Sequence, residues 1–227
     1  MEYVLTTDHL CKNYGHFKAL NQCSMHVPRG AIYGFVGKNG AGKTTLIRLI
    51  CGLQRPTSGS YRLYGSENTD KKILEAQRRI GAVVETPSIY LDMTAEENMK
   101  EQYYVLGLPS FEGIPQTLKL VGLEDAGKKK AKDFSLGMRQ RLGIAIALAG
   151  KPDLLVLDEP TNGLDPQDRR DEGTDIKAEP GKTDHGADFK SYLDELSRLA
   201  THYGFIDKGT IVKEITAEEL EIPVGSV

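Results

Sequence analysis

The stretch Gly37-Lys38-Asn39-Gly40-Ala41-Gly42-Lys43-Thr44 constrains this chain more than any other part of its sequence. It fits the spacing G-x-x-x-x-G-K-[ST] and directly follows the apolar run Ala31-Ile32-Tyr33-Gly34-Phe35-Val36, which reads as a strand buried on both faces. Thr44 to Ile50 then carries helical spacing. Strand, glycine-rich turn and helix in that order make a cradle for phosphate. Glycines let backbone N–H groups close around the oxygens, and the helix N-terminus adds its positive end. Gly37, Asn39, Gly40, Ala41, Gly42, Lys43, Thr44 and Thr45 are the candidate binding residues. Lys43 is expected to reach the β- and γ-phosphates as a point charge, and Thr44 to offer its hydroxyl to Mg²⁺. Without the strand and helix around them, the same glycines would read as a flexible turn.

A second element matches the first. Leu154-Leu155-Val156-Leu157-Asp158-Glu159-Pro160 is an apolar strand ending in two acids. Such a strand carries Asp158 to the carboxyl edge of a parallel sheet, where ligands bind in this architecture. Asp158 is expected to hold Mg²⁺ directly or through water, and Glu159 to act as general base on the attacking water.

Elsewhere, Tyr3 to Leu5, Cys23 to Val27, Tyr61 to Tyr64 and Ile80 to Val84 read as strands. Phe205 to Val212 reads as a hairpin with Asp207-Lys208-Gly209 at its tip. From Thr94 to Leu148 the texture is helical, and Thr94 with Glu97 forms a capping-box pattern. The expectation is α/β with a helical insertion. Lys+Arg 29 against Asp+Glu 32 gives a net charge of -3, which argues against a general grip on nucleic-acid phosphates. Three widely spaced cysteines suit a reducing compartment and neither a disulfide framework nor a zinc site. No secretory leader is visible at Met1-Glu2-Tyr3-Val4, and the apolar stretch Ile144 to Ala149 is too short to cross a bilayer. A cytoplasmic protein is expected, held at a membrane only through a partner. Lys128 to Lys132, flanked by Glu124, Asp125 and Asp133, reads as a solvated loop. Met99, Tyr103 and Tyr104 are expected to pack the helical part.

Between the two site elements lies Phe134-Ser135-Leu136-Gly137-Met138-Arg139-Gln140-Arg141, and after the acids comes Asn162-Gly163-Leu164-Asp165-Pro166. The first resembles the signature loop of ATP-binding cassette (ABC) proteins and the second their D-loop. The four motifs stand in family order, over Met1 to about Gln167 and again from about Leu193. Ile80 to Tyr90 and the surroundings of Ser135 look most like the subunits of bacitracin-type and related drug exporters. The resemblance implies a P-loop NTPase fold of the ABC ATPase kind: a mixed-sheet core, an antiparallel β subdomain and a helical subdomain over about 87–150, in one domain spanning 1–227. It implies that Tyr14 stacks on adenine, and that Ser135 and Gly137 meet the γ-phosphate held by an opposite subunit. Asp165 would lie at that dimer interface. It also implies ATP and Mg²⁺ as cofactors, a homodimer or paired ABC subunit, and a transmembrane permease subunit docking near Thr86 to Asp92. The place of work would be the inner face of the cell membrane. The physics of Ser135 agrees, since a serine cap leaves a positive helix end facing an anion.

The chain departs from the family pattern in three ways. Glu85 stands where many relatives have glutamine, and still offers an oxygen to Mg²⁺ or water. Leu136 and Met138 replace small or polar signature residues. The third departure is larger: the family has a strand ending in Ser-Ser-His near residue 190, whose histidine contacts the γ-phosphate. Here residues 168–190 contain twelve charged and only four apolar side chains among 23, and no apolar strand leads into His185. With permissible codons read one base later, Asp168 to Leu193 can spell an amphipathic helix, an apolar strand and the missing Ser-Ser-His. We therefore hypothesise two compensating frame changes; a gene whose shifted frame lacks those apolar residues would refute this. Two functions follow as expectations. One is ATP binding and hydrolysis powering an exporter; the alternative is a nucleotide-binding protein with little or no turnover, because the histidine strand is missing.

Overall fold

The computed structural model describes residues 2–158 and 200–220. Glu159, Asp165, His185 and the atypical segment 168–190 lie outside the described residues. In chain order the elements run β1 (Tyr3–Tyr14), β2 (Phe17–Pro28), β3 (Tyr33–Val36), α1 (Lys43–Ile50), β4 (Ser58–Leu63), β5 (Ser66–Glu67), α2 (Ile73–Gln77) and β6 (Ile80–Val83). They continue with α3 (Ala95–Leu106), α4 (Ile114–Leu120), α5 (Leu136–Leu148), β7 (Leu154–Leu157), β8 (His202–Asp207), β9 (Thr210–Thr216) and α6 (Ala217–Leu220). The chain divides into two compact units, whose described residues are 2–77 with 200–220, and 78–158.

The first unit holds a four-stranded antiparallel sheet in the order β2-β1-β4-β5 and a three-stranded sheet in the order β3-β8-β9. β3 and β8 run parallel, and β8 and β9 antiparallel, so the second sheet is mixed. Cys23, Met25 and Val27 are buried while His26 is exposed, the alternation that a strand with one solvated face requires. β1 and β2 extend well beyond the short runs the sequence suggests. Thr6 to Tyr14 is mostly polar, but it pairs with β2 on one side and, as far as Cys11, with β4 on the other. Thr7, 2% exposed, donates its hydroxyl to the Cys23 carbonyl oxygen at 2.9 Å, so its burial leaves no hydroxyl unmet. β3 begins at Tyr33 rather than Ala31, and buries Gly34 and Val36 more fully than Tyr33 and Phe35. The hairpin tip matches the sequence reading: Lys208 and Gly209 take φ of 47° and 78°, the left-handed pair of a tight two-residue turn.

In the second unit β6 and β7 pair in parallel, and α3, α4 and α5 enclose a core that includes Met99, Tyr103, Ile114, Phe134 and Leu142. Thr94 caps α3 as its sequence predicts. Glu97 N donates to Thr94 Oγ1 at 3.2 Å, and Thr94 N donates to Glu97 Oε2 at 2.7 Å. Met99 and Tyr103 are buried, but Tyr104 is 67% exposed, its ring edge-on to Phe111. Neighbouring helical positions point about 100° apart, so Tyr103 and Tyr104 cannot both face one core. Lys128, Lys129 and Lys130 are exposed. Lys132 pairs with Asp92 at 3.1 Å, which holds the Asp92 carboxyl below the usual carboxylate range.

Candidate functional site

The phosphate loop lies in the first unit. Gly40 and Gly42 adopt φ of 78° and 109°, which side-chain-bearing residues resist, and Ala41 N donates to Lys38 O at 3.0 Å across the turn. α1 begins at once, with Gly42 as its N-cap. Its glycine N-cap offers no side chain to cap the helix, and no acid lies in the first turn. The positive end of α1 is therefore left to whatever approaches it. The Lys43 ammonium donates to Gly37 O at 2.7 Å and to Lys38 O at 3.3 Å, so the loop's own carbonyls hold it over the turn. Among the described residues no carboxylate neutralises it. Among the described residues, a helix end without a capping side chain stands beside an ammonium that no carboxylate pairs, which suits an anion with several oxygens. Asn39 is exposed at the turn, and Thr44 and Thr45 are half-buried in the first turn of α1. Burial pushes the Cys51 thiol at the end of α1 up to about 11, which keeps it a neutral packing group.

Tyr14 closes β1 in the same unit and is 42% exposed. Its hydroxyl donates to Gln54 Oε1, and the Lys12 ammonium sits 5.2 Å from its ring centroid while also donating to Arg55 O at 2.9 Å. Gln54 in turn hangs from α1, its N donating to Arg48 O at 3.3 Å. Gln54 and Lys12 thus pin the edge of the ring and place a cation beside it, with the ring still partly open to solvent. The sequence reading missed Gln54, because it lies 40 residues from Tyr14 and no local pattern links the two.

In the second unit the parallel pair β6/β7 delivers two carboxylates at its C-terminal edge. Val83 pairs with Leu157, and Asp158 N then donates to Val83 O at 2.9 Å, carrying the ladder one residue further. Asp158 is 4% exposed. Glu85 follows β6 in a left-handed conformation, φ 64°, where the chain leaves the sheet. Ser135 caps α5, its Oγ accepting from Met138 N at 3.2 Å, and no acid occupies the first turn of that helix. Gly137 is buried just inside it, and Leu136 is 58% exposed at its first position. Hard oxygen donors such as Thr44, Glu85 and Asp158 are of the class that Mg²⁺ takes. Among the described residues no group of three or more His, Cys, Asp or Glu is placed to hold a metal ion.

The segment 86–92 is set by a residue that the sequence reading also missed. Asn98, 2% exposed on α3, donates to Tyr90 O at 3.0 Å and Thr94 O at 2.9 Å, and accepts from Tyr90 N at 2.7 Å. The signal was present: Asn98 stands on the same helical face as Ala95 and Met99, a polar side chain in an apolar stripe. Ser88, Ile89 and Tyr90 line a cleft of about 310 Å³ with Glu101, Val105 and Ile146.

Loop, helix and parallel pair are those of a P-loop NTPase, an α/β nucleotide-binding class. Residues 20–162 match the ABC transporter family. The chain is 41% identical over 222 residues to the bacitracin transport ATP-binding protein BcrA of Bacillus licheniformis, covering 97% of this chain and 72% of that one. It is 41% identical over 214 residues to the lantibiotic transport ATP-binding protein SrtF of Streptococcus pyogenes, covering 93% and 90%. Among solved structures, a dimeric ATP-binding cassette in a post-hydrolysis state bound to ADP and Pi superposes with a TM-score of 0.73 at 20% identity, covering 94% of this chain and 98% of that one. The chain belongs to the ABC transporter family, as a member of its ATPase class. No helix among the described residues is long and apolar enough to cross a membrane.

Proposed function

We propose that this chain is the ATP-driven engine of an exporter of antibiotic or peptide cargo. It works through a separate transmembrane permease subunit at the cytoplasmic face of the membrane. The observation that carries the reading is the uncapped, acid-free N-terminus of α1 with the Lys43 ammonium folded over its loop. Backbone N–H groups of Gly37 to Thr45 take the triphosphate oxygens, and Lys43 moves from its carbonyl partners onto the β- and γ-phosphates. Tyr14, pinned by Gln54, offers its ring to the adenine. Thr44, Asp158 and Glu85 would hold Mg²⁺, which neutralises charge on the phosphates.

Ser135 and Gly137 face the γ-phosphate bound by a second cassette, either a copy of this chain or a paired subunit, with Asp165 at that interface. The dimeric cassette among the structural neighbours supports such pairing, and the bacitracin and lantibiotic relatives support the cargo class. The permease meets the cleft at Ser88 to Tyr90, whose Asn98 latch gives it a rigid wall. Glu159 takes the proton of the attacking water.

The test measures Mg-ATP binding and steady-state phosphate release on one preparation of native chain and Glu159→Gln. Native turnover with binding kept and turnover reduced about 10²–10⁴-fold in the variant is expected from loss of a general base. Normal turnover by the variant overturns the base assignment, and a native chain that binds but releases no phosphate favours the non-hydrolysing alternative.

A further inference from the structure

We propose that the tip of the β8–β9 hairpin, centred on Gly209, is a positioning element that sets the shape of the phosphate loop. The inference rests on the reading of residues 37–45 as a triphosphate site. Three segments far apart in sequence converge at this point: Ala19 to Asn21 of β2, Ala41 and Gly42 of the loop, and Ile206 to Thr210 of the hairpin. Gly209 N donates to Ala41 O at 2.8 Å, and Asn21 N donates to Gly209 O at 2.9 Å. Thr210 Oγ1 donates to Asn21 O at 2.8 Å. The hairpin tip therefore hydrogen-bonds to the loop on one side and to β2 on the other.

The space is as specific as the bonding. A Cβ on Gly209 would stand 2.6 Å from Ala19 O and 2.8 Å from Leu20 Cα. One on Gly42 would also meet Ala19 O at 2.6 Å. One on Gly37, at the other end of the loop, would stand 2.6 Å from both Ile206 Cγ2 and Ile206 O. Thus the hairpin and β2 close on both ends of the phosphate loop through three glycines. Most of the opposing atoms are backbone, which cannot swing aside as a side-chain tip can. Leu20 is fully buried, so β2 has nowhere to retreat.

The consequence for the loop follows from peptide geometry. The Ala41 carbonyl and the Gly42 N–H belong to one planar trans peptide and point in opposite directions. When Gly209 holds that carbonyl, the Gly42 N–H is aimed away from the hairpin. A side chain at 209 must displace the tip, free the Ala41 carbonyl and let this peptide rotate, so the loop's N–H groups no longer converge.

The experiment compares the native chain, Gly209→Ala and Gly65→Ala for binding of inorganic tripolyphosphate and Mg-ATP by calorimetry, with thermal midpoints alongside. Gly65 has a similar φ of 81° but nothing within 4 Å of an added Cβ, so it carries the backbone strain without the clash. Gly209→Ala is expected to weaken both ligands by the same factor, about tenfold or more, and Gly65→Ala by less than about twofold. A loss of fold stability alone would leave the affinity of the folded molecules unchanged. A folded Gly209→Ala that binds tripolyphosphate as the native chain does overturns the inference. If Gly209→Ala does not fold, Thr210→Val removes the bond to Asn21 at nearly constant volume. A weakening of about threefold is expected from it, and unchanged affinity overturns the inference. A folded native chain that binds neither ligand sinks the underlying site reading and the inference with it.

Discussion

α1 and α3 begin in opposite ways. α3 closes on itself: Thr94 and Glu97 exchange hydrogen bonds, and Glu96 and Glu97 neutralise the positive helix end. α1 has a glycine where α3 has its threonine, no acid in its first turn, and a lysine at its first position. A capping side chain is worth about 1 kcal/mol to a helix, and α1 forgoes it. What it keeps is a positive helix end, without a capping side chain, beside the Lys43 ammonium. α5 stands between the two, with one N–H taken by Ser135 and no acid. The same backbone end is a finished terminus in one place and a binding surface in another, and three or four side chains make the difference.

The largest way to break that comparison is Lys43→Ala. Hydrogen bonds to charged groups are worth about 1.5–3 kcal/mol, so Mg-ATP affinity should fall by about one to two orders of magnitude. Titration calorimetry measures it, and an unchanged affinity would mean that the ammonium serves only the loop carbonyls it touches now.

A smaller effect comes from giving α1 the acid of α3. Thr45→Glu puts a carboxylate at the third helical position, where Glu97 stands in α3. A like charge near the phosphates should lower nucleotide affinity about tenfold while helix content by circular dichroism is kept, given repulsion of about 4 kcal/mol at 4 Å before screening. Retained affinity would show that helix-end charge does not distinguish the two termini.

The smallest effect is a pH dependence confined to α3. The Thr94 backbone and side-chain bonds hold the Glu97 carboxyl below the usual glutamate range. A group whose pKa is lowered on folding stabilises the fold above its unfolded value, about 4.3, and loses that contribution as pH falls through the folded value. Glu97→Gln should therefore reduce the acid-side loss of thermal midpoint and leave nucleotide affinity at neutral pH unchanged. A variant whose acid limb matches the native chain would show that the capping carboxylate carries no linked proton.

Features legible in the sequence are those whose cause lies within a few residues. The glycine spacing at 37–44, the Thr94–Glu97 box, the Ser135 cap and the Asp207–Thr210 turn each show in contacts at most six positions apart. The polar half of β1 was not legible, because its strand state comes from pairing on both sides rather than from its own pattern. Tyr14 was legible only by resemblance, and its lock by Gln54 not at all. The helical stripe around Met99 was legible, but which of Tyr103 and Tyr104 faces the core was decided by the packing of α3 with Ile114, Phe134 and Leu142.

The sequence by itself determined the candidate phosphate loop, since glycine φ freedom, a helix start and a lysine are local properties of eight consecutive residues. Only the tertiary structure decided how that loop is kept in shape. Gly37, Gly42 and Gly209 are ordinary turn glycines until β2 and the β8–β9 hairpin approach within 3 Å of where their side chains would stand. Backbone atoms brought together from positions 19, 41 and 209 share no sequence pattern. Their contact is fixed by packing, where a single added carbon must push main chain against main chain.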